Sequence, residues 1–172
     1  MIEKPEVLDP QVYYKSLIDK VIEVDAIEAL ENSLDETIDL MESVPRSKED
    51  YSYDEGKWNV KQVFQHLVDC ERIMAYRILS LARNEKGTLL GFDDQGYVAM
   101  DGTSNRTILE IMKDFVAARN STISLCKSLP VKQLDLMGNA NGIPSTARLV
   151  TWFIAAHNYH HNTVIIDRYL TS

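Results

Sequence analysis

The last long apolar segment, residues 152–170 (WFIAAHNYHHNTVIIDRYL), constrains this chain most. No Pro or Gly interrupts it, so it reads as one helix. His157 and His161 are four apart and project from one face, about one turn from each other. Ile154, Val164 and Ile165 share that face. An amphipathic helix buries such a stripe, so two imidazoles are carried inward and something must meet them. His160 falls about 60° from His157 on the helical wheel, nearer the edge of the stripe.

Three further segments carry helical patterns. Over residues 13–44, Ile27, Leu30, Leu34, Ile38 and Met41 repeat at three or four positions, with a bend expected near 21–25. Pro45 ends that pattern, and a polar connector follows. The second begins at Asn59, a good N-cap, with Gln62 three residues on in the capping-box arrangement. Trp58 and Val63 are placed to form the accompanying staple. This helix is expected to reach about Arg83, with His66 or Leu67, Cys70 and Leu81 on its buried side. The third runs from about Arg106 to Ser128 and is closed by Pro130. Asn141-Gly142 is a turn signal, and Ser145 is the expected N-cap of the last helix. Residues 84–105 hold four of the seven glycines and read as a long functional loop, anchored by Phe92 and Tyr97. Pro5 and Pro10 make residues 1–12 irregular.

Four long helical patterns without strand alternation predict an all-α protein, a four-helix bundle in one domain spanning 1–172. The longest connection, between the second and third helices, is expected to cross an end of the bundle.

Charge narrows the partners. Lys and Arg total 18 against 26 Asp and Glu, a formal charge of −8 with no basic run, so nucleic acid and anionic membrane surfaces are excluded as expected partners. No apolar run approaches the ~20 residues that span a bilayer. The polar N-terminus lacks a signal core, and Cys70 and Cys126 read as reduced thiols, so a cytoplasmic location is expected.

Neutral imidazole is the commonest metal ligand. Two histidines at i and i+4 bind one ion from a single helix, and a third from a facing helix leaves positions open for water or substrate. His66 is the only histidine outside the last helix. The expected ligands are therefore His66, His157 and His161, a set that suits one divalent ion, zinc or nickel, with iron a further option. Asn158 stands where a zincin has Glu, and the repeated Glu-x-x-His of a di-iron bundle is absent. Asp69, three residues after His66, is a candidate to orient a ligand imidazole or act as a base. Tyr97 and Phe92, in the Gly-rich loop, are candidates for lining the site mouth. Cys70 reads as a small buried hydrophobe, and Glu71, Arg72 and Arg77 as ion-paired groups of the surface or bundle edge. The rival reading is a non-catalytic small-molecule or protein-binding bundle whose histidines are structural or vestigial.

The chain resembles the DinB/YfiT-like family of metal-dependent enzymes. The resemblance rests on YDEGKWNVKQVFQHLVDCERIMAYRILSLARNEKGTLLGFDDQGYV, on Arg119 within DFVAARNSTISLCKSL, and on NANGIPSTARLVTWFIAAHNYHH. KW-N-V-K before HLVDCER, GFD in the long loop and H-x-x-H-H are its most specific parts. It covers about residues 13–170. It implies a four-helix bundle with long crossover connections, a homodimer, and a metal held by His66, His157 and His161. It also implies a small-molecule substrate and thiol-dependent transfer or isomerisation with a low-molecular-weight thiol such as bacillithiol or mycothiol. The expected function is thus a metal-dependent S-transferase acting on small electrophiles, with a hydrolase on the same ion as a further option. Ala156 stands where the family commonly has Gly, and Cys70 where Thr or Ala is common. Cys70 leaves open a mixed ligand set or an oxidation-sensitive thiol.

Overall fold

The computed structural model describes residues 1–6 and 12–171. Its helices are α1 (Val12–Ile18), α2 (Ala26–Ser43), α3 (Val60–Ala82), α4 (Asp94–Ala99), α5 (Ile108–Ser128), α6 (Val131–Leu134) and α7 (Ala147–Ile165). The last runs on into a π-helical turn, Ile166–Leu170. Three short strands, β1 (Thr88–Leu89), β2 (Gly138–Ala140) and β3 (Ile143–Ser145), and two 3-10 turns, Arg46–Lys48 and Thr103–Asn105, complete the elements among the described residues. Of the segment 1–12 expected to be irregular, residues 1–6 carry no helix or strand, Val12 already opens α1, and residues 7–11 lie outside the described residues.

The long helices α2, α3, α5 and α7 form a four-helix bundle in which α3 packs on α5 and α7, and α2 packs on the same two. Consecutive helices α2 and α3 thus face each other across a diagonal, as do α5 and α7. This corrects the expected crossing. The longest connection, between α3 and α5, joins adjacent helices, and the diagonals are spanned by residues 44–59 and 129–146. Among the described residues no helix is long and apolar enough to cross a membrane.

Local chemistry sets the helix starts. Asp25 caps α2 by accepting from the Ile27 amide, which turns the expected bend into a break between α1 and α2. Asn59 and Gln62 form a full capping box on α3, and Thr107 and Glu110 form one on α5. Trp58 packs against the apolar cluster that holds Val63, as the staple requires. The cap of α7 is Thr146 rather than Ser145, because Ser145 ends β3 and donates its hydroxyl to the Ile143 carbonyl.

The small sheet has the order β1-β2-β3, β1 parallel to β2 and β2 antiparallel to β3. Asn141 and Gly142 both have positive φ, 56° and 80°, the two-residue hairpin turn that Asn-Gly favours. Gly138 packs closely on α3: a Cβ there would lie 2.4 Å from Leu81 Cδ2, so the buried Leu81 side chain would have to move to admit one.

Two apolar clusters fill the bundle. One gathers Leu17, Ile18, Leu30, Ile78, Trp152 and Phe153; the other gathers Met41, Phe64, Ile111, Phe115, Ile165 and Tyr169. Buried polar side chains accompany them: Ser33 and Thr37 of α2, His66 and Glu71 of α3, Arg119 of α5, and His157, Asn158 and Asn162 of α7. Of the three charged groups assigned to the surface or bundle edge, only Arg72 fits, with its side chain 53% exposed. Glu71 and Arg77 are buried, because distant segments meet their charge: Arg119 pairs with Glu71, and the Leu90 carbonyl accepts from Arg77.

Candidate metal centre

Helices α3 and α7 bring His66, His157 and His161 together. Ring centroids lie 5.2 Å apart for His66 and His157, 5.0 Å for His66 and His161, and 4.5 Å for His157 and His161. One nitrogen from each ring lies within 4.8 Å of the others, and among the described residues this is the set of His, Cys, Asp and Glu side chains that converges on one point. His157 and His161 touch through their Nε2 atoms at 3.1 Å. Nitrogens sharing a tetrahedral ion at bond lengths of about 2.05 Å stand roughly 3.3 Å apart, so small movements of the rings suffice.

Burial sets the protonation state. It is the leading cause that holds all three imidazoles below their ordinary value, against the pull of Asp94 and Asp69 on His66. His157 lies well below 6.5, and His161 is lowered to about 3, the other histidines adding to the effect. The rings are therefore neutral at pH 7, the form that binds metals. His161 is half-buried as a residue, yet its Nδ1 is shielded from solvent and has no partner. Three neutral rings whose nitrogens converge, two of them Nε2 to Nε2, fit a cation better than they fit one another, and the all-nitrogen donor set suits a divalent transition ion.

The walls are aromatic. The Trp58 ring lies 4.9 Å from His66 and Phe153 lies 5.2 Å from His157. Trp58 donates its Nε1–H to Gln95 on α4 at 3.1 Å, and its carbonyl accepts from the Tyr169 hydroxyl at 2.8 Å. His161 opens onto a pocket of about 260 Å³ lined by Tyr53, Lys57, Trp58, Gln95, His160 and Tyr169. Phe92 and Tyr97, expected at the mouth, are not among these residues. Phe92 packs on the core and against Tyr97, while Tyr97 borders a separate open groove with Asp69 and Asp101. Trp58 and Gln95 were missed as mouth residues. The position of Trp58 just before the N-cap of α3 pointed only to the staple.

The neighbours of the triad divide by role. Asp69 accepts from Gln65 at 3.0 Å and faces Arg72 at 3.7 Å. Burial raises its carboxyl above the ordinary range, with Gln65, Arg72 and His66 opposing. Cys70 Sγ lies 3.5 Å from His66 Nε2, but burial, with Asp94, Asp69 and Glu71 adding, pushes the thiol up and keeps it protonated. His160 stands beside His161, 5.2 Å between rings, and lines the pocket mouth outside the cluster.

The fold and cluster define a class: a helical bundle with three inward histidines on two facing helices. Residues 29–165 match the DinB superfamily, and the chain belongs to that family. A protein of Oceanobacillus iheyensis named "Putative metal-dependent hydrolase OB0413" is 29% identical over 137 residues, covering 78% of this chain and 76% of its own length. YfiT from Bacillus subtilis, described as a probable metal-dependent hydrolase with an unusual four-helix bundle topology, superposes with a TM-score of 0.75. That match covers 95% of this chain and 90% of YfiT at 17% identity, a likeness of fold.

Proposed function

We propose that this protein is a metal-dependent enzyme that holds one divalent ion, zinc or nickel, through His66, His157 and His161. The observation that carries the reading is the convergence of three neutral imidazole nitrogens within 4.8 Å, one of them on His161, which also lines a pocket. The names of the relatives support it. When bound, the ion lowers the pKa of a coordinated thiol or water and so provides a nucleophile near neutral pH.

The chain's own residues do the rest. His66, His157 and His161 would hold the ion, and His161 borders the pocket from which nucleophile and substrate would approach. Trp58 and Phe153 exclude water from two flanks of the cluster, which strengthens electrostatic interactions inside. Lys57 and His160 at the mouth supply a cationic and a polar edge to orient a small electrophile. The reaction would be S-transfer: a low-molecular-weight thiol gives up its proton to solvent, its sulfur forms a C–S bond to the electrophilic carbon, and the leaving group departs from that carbon with the bonding pair. Hydrolysis at the same centre is the second reading, favoured by the hydrolase names of both relatives.

Elemental analysis of untagged protein, beside a His157→Ala control, tests the reading. About one equivalent of zinc or nickel in the wild type and none in the control is expected. Equal metal in both contradicts the ligand assignment. Thiol consumption with an electrophile, set against ester or amide cleavage without thiol, then separates transferase from hydrolase.

A further inference from the structure

Beside the histidine cluster lies a cavity of about 10 Å³ whose lining includes Cys70, Glu71, Arg119, His157 and Asn158. That is at the lower bound of the room one water needs, roughly 10–15 Å³. Two polar atoms of the lining residues, Glu71 Oε1 and Arg119 Nε, are buried without a partner. Their side chains are 2% and 1% exposed, so bulk solvent does not serve them. The other groups of the pair are engaged. Arg119 Nη2 meets Glu71 Oε2 at 2.9 Å and Asn158 Oδ1 at 3.0 Å, and Nη1 donates to the Leu30 carbonyl and to Ser33. One acceptor and one donor thus remain unmet on residues lining the small cavity that His157 also lines.

We propose that Glu71 is the positioning carboxylate of the metal centre, acting on the His157 imidazole through a single water held in this cavity, with Arg119 fixing Glu71. The inference rests on the metal reading above. A ligating histidine almost always gives its second ring N–H to a carboxylate, carbonyl or water, which fixes its tautomer and orientation. His157 turns Nε2 toward His161, so Nδ1 is the nitrogen left for a partner. A water between Nδ1, Glu71 Oε1 and Arg119 Nε gains three partners, within the usual range for buried water. Asp69, the carboxylate that spacing sets beside His66, accepts from Gln65 and borders the open groove, and it does not line this cavity.

The test uses Glu71→Gln, which keeps shape and removes charge. Zinc affinity is measured by chelator competition, and the tautomer of His157 by nitrogen-15 NMR of the metal-free protein. Zinc binding weakened 10–100-fold, with a changed His157 tautomer, is expected. In a high-resolution crystal structure of the wild type, one water should lie within hydrogen-bonding distance of Glu71, Arg119 and His157. A folded variant with wild-type affinity and tautomer overturns the inference while leaving the metal reading intact. A wild type that takes up no zinc overturns the metal reading itself, and this inference with it. If the variant does not fold, the wild-type density decides: a cavity without water, or a water out of reach of His157, overturns the proposal.

Discussion

Two polar islands sit side by side in the bundle, and they are satisfied differently. In the island around Arg119 nearly every group meets another. The guanidinium reaches α2, α3 and α7, and Thr37 receives both the Asn158 and Asn162 amides at 2.8 Å. Apart from Glu71 Oε1 and Arg119 Nε, charge and hydrogen bonds close within the chain, which ties the bundle helices together. The histidine island does not close. His157 and His161 share one contact, Cys70 offers His66 only a weak sulfur contact, and His161 Nδ1 has none. A polar group that is buried and unmet costs stability. Three neutral rings that converge with no carboxylate among them mark a place where the partner comes from outside the chain. The islands touch at the cavity shared by Glu71, Arg119 and His157.

The sharpest way to break this contrast is to remove one member of each island. His161→Gln should abolish retention of the ion through dialysis. It should change metal-free stability by only about 1 kcal/mol or less, within the ordinary range for a single substitution. Arg119→Met should do the reverse to stability. It removes the ion-pair partner of the buried Glu71, a loss of about 3–5 kcal/mol, read from urea unfolding of the metal-free protein. Equal effects of the two substitutions on stability would erase the distinction.

Acid should sharpen it further. Near pH 6.5, the ordinary value for His, the unfolded chain takes up protons that the buried rings refuse. The histidine contribution to stability is therefore complete above about pH 6.5 and is lost as the pH falls toward about 3, the value of His161. Thermal melts of the metal-free protein should fall over that range, and His161→Gln should flatten the slope. An unchanged slope would mean that the ring is not buried as described. The smallest expected effect lies at the mouth. Trp58→Phe removes the hydrogen bond to Gln95 and should cost about 0.5–1.5 kcal/mol, together with faster removal of the ion by a chelator.

Much of this arrangement is legible in the sequence, and the limits have physical causes. The apolar spacing of α2 and the Asn59–Gln62 box of α3 are local signals, so those helices can be read from short windows. The histidine pair is also local, and His66 follows because the chain offers no other histidine. Glu71 is different. Nothing near it in sequence reports its burial, because the charge that permits it belongs to Arg119 on another helix. The strands are two or three residues long, too short to alternate. The crossing of the bundle was misassigned because connection length does not report which helices are neighbours. Phe92 and Tyr97 were misplaced for a related reason: residence in a Gly-rich loop says nothing about which pocket that loop borders.

The most direct test of the central claim is anomalous diffraction at the zinc edge from crystals of the zinc-loaded protein. The account predicts one peak bonded to a nitrogen each of His66, His157 and His161 at about 2.0–2.1 Å, with the remaining coordination facing the pocket beside Trp58. A peak elsewhere, or none while the three rings stay bonded only to one another, would contradict it.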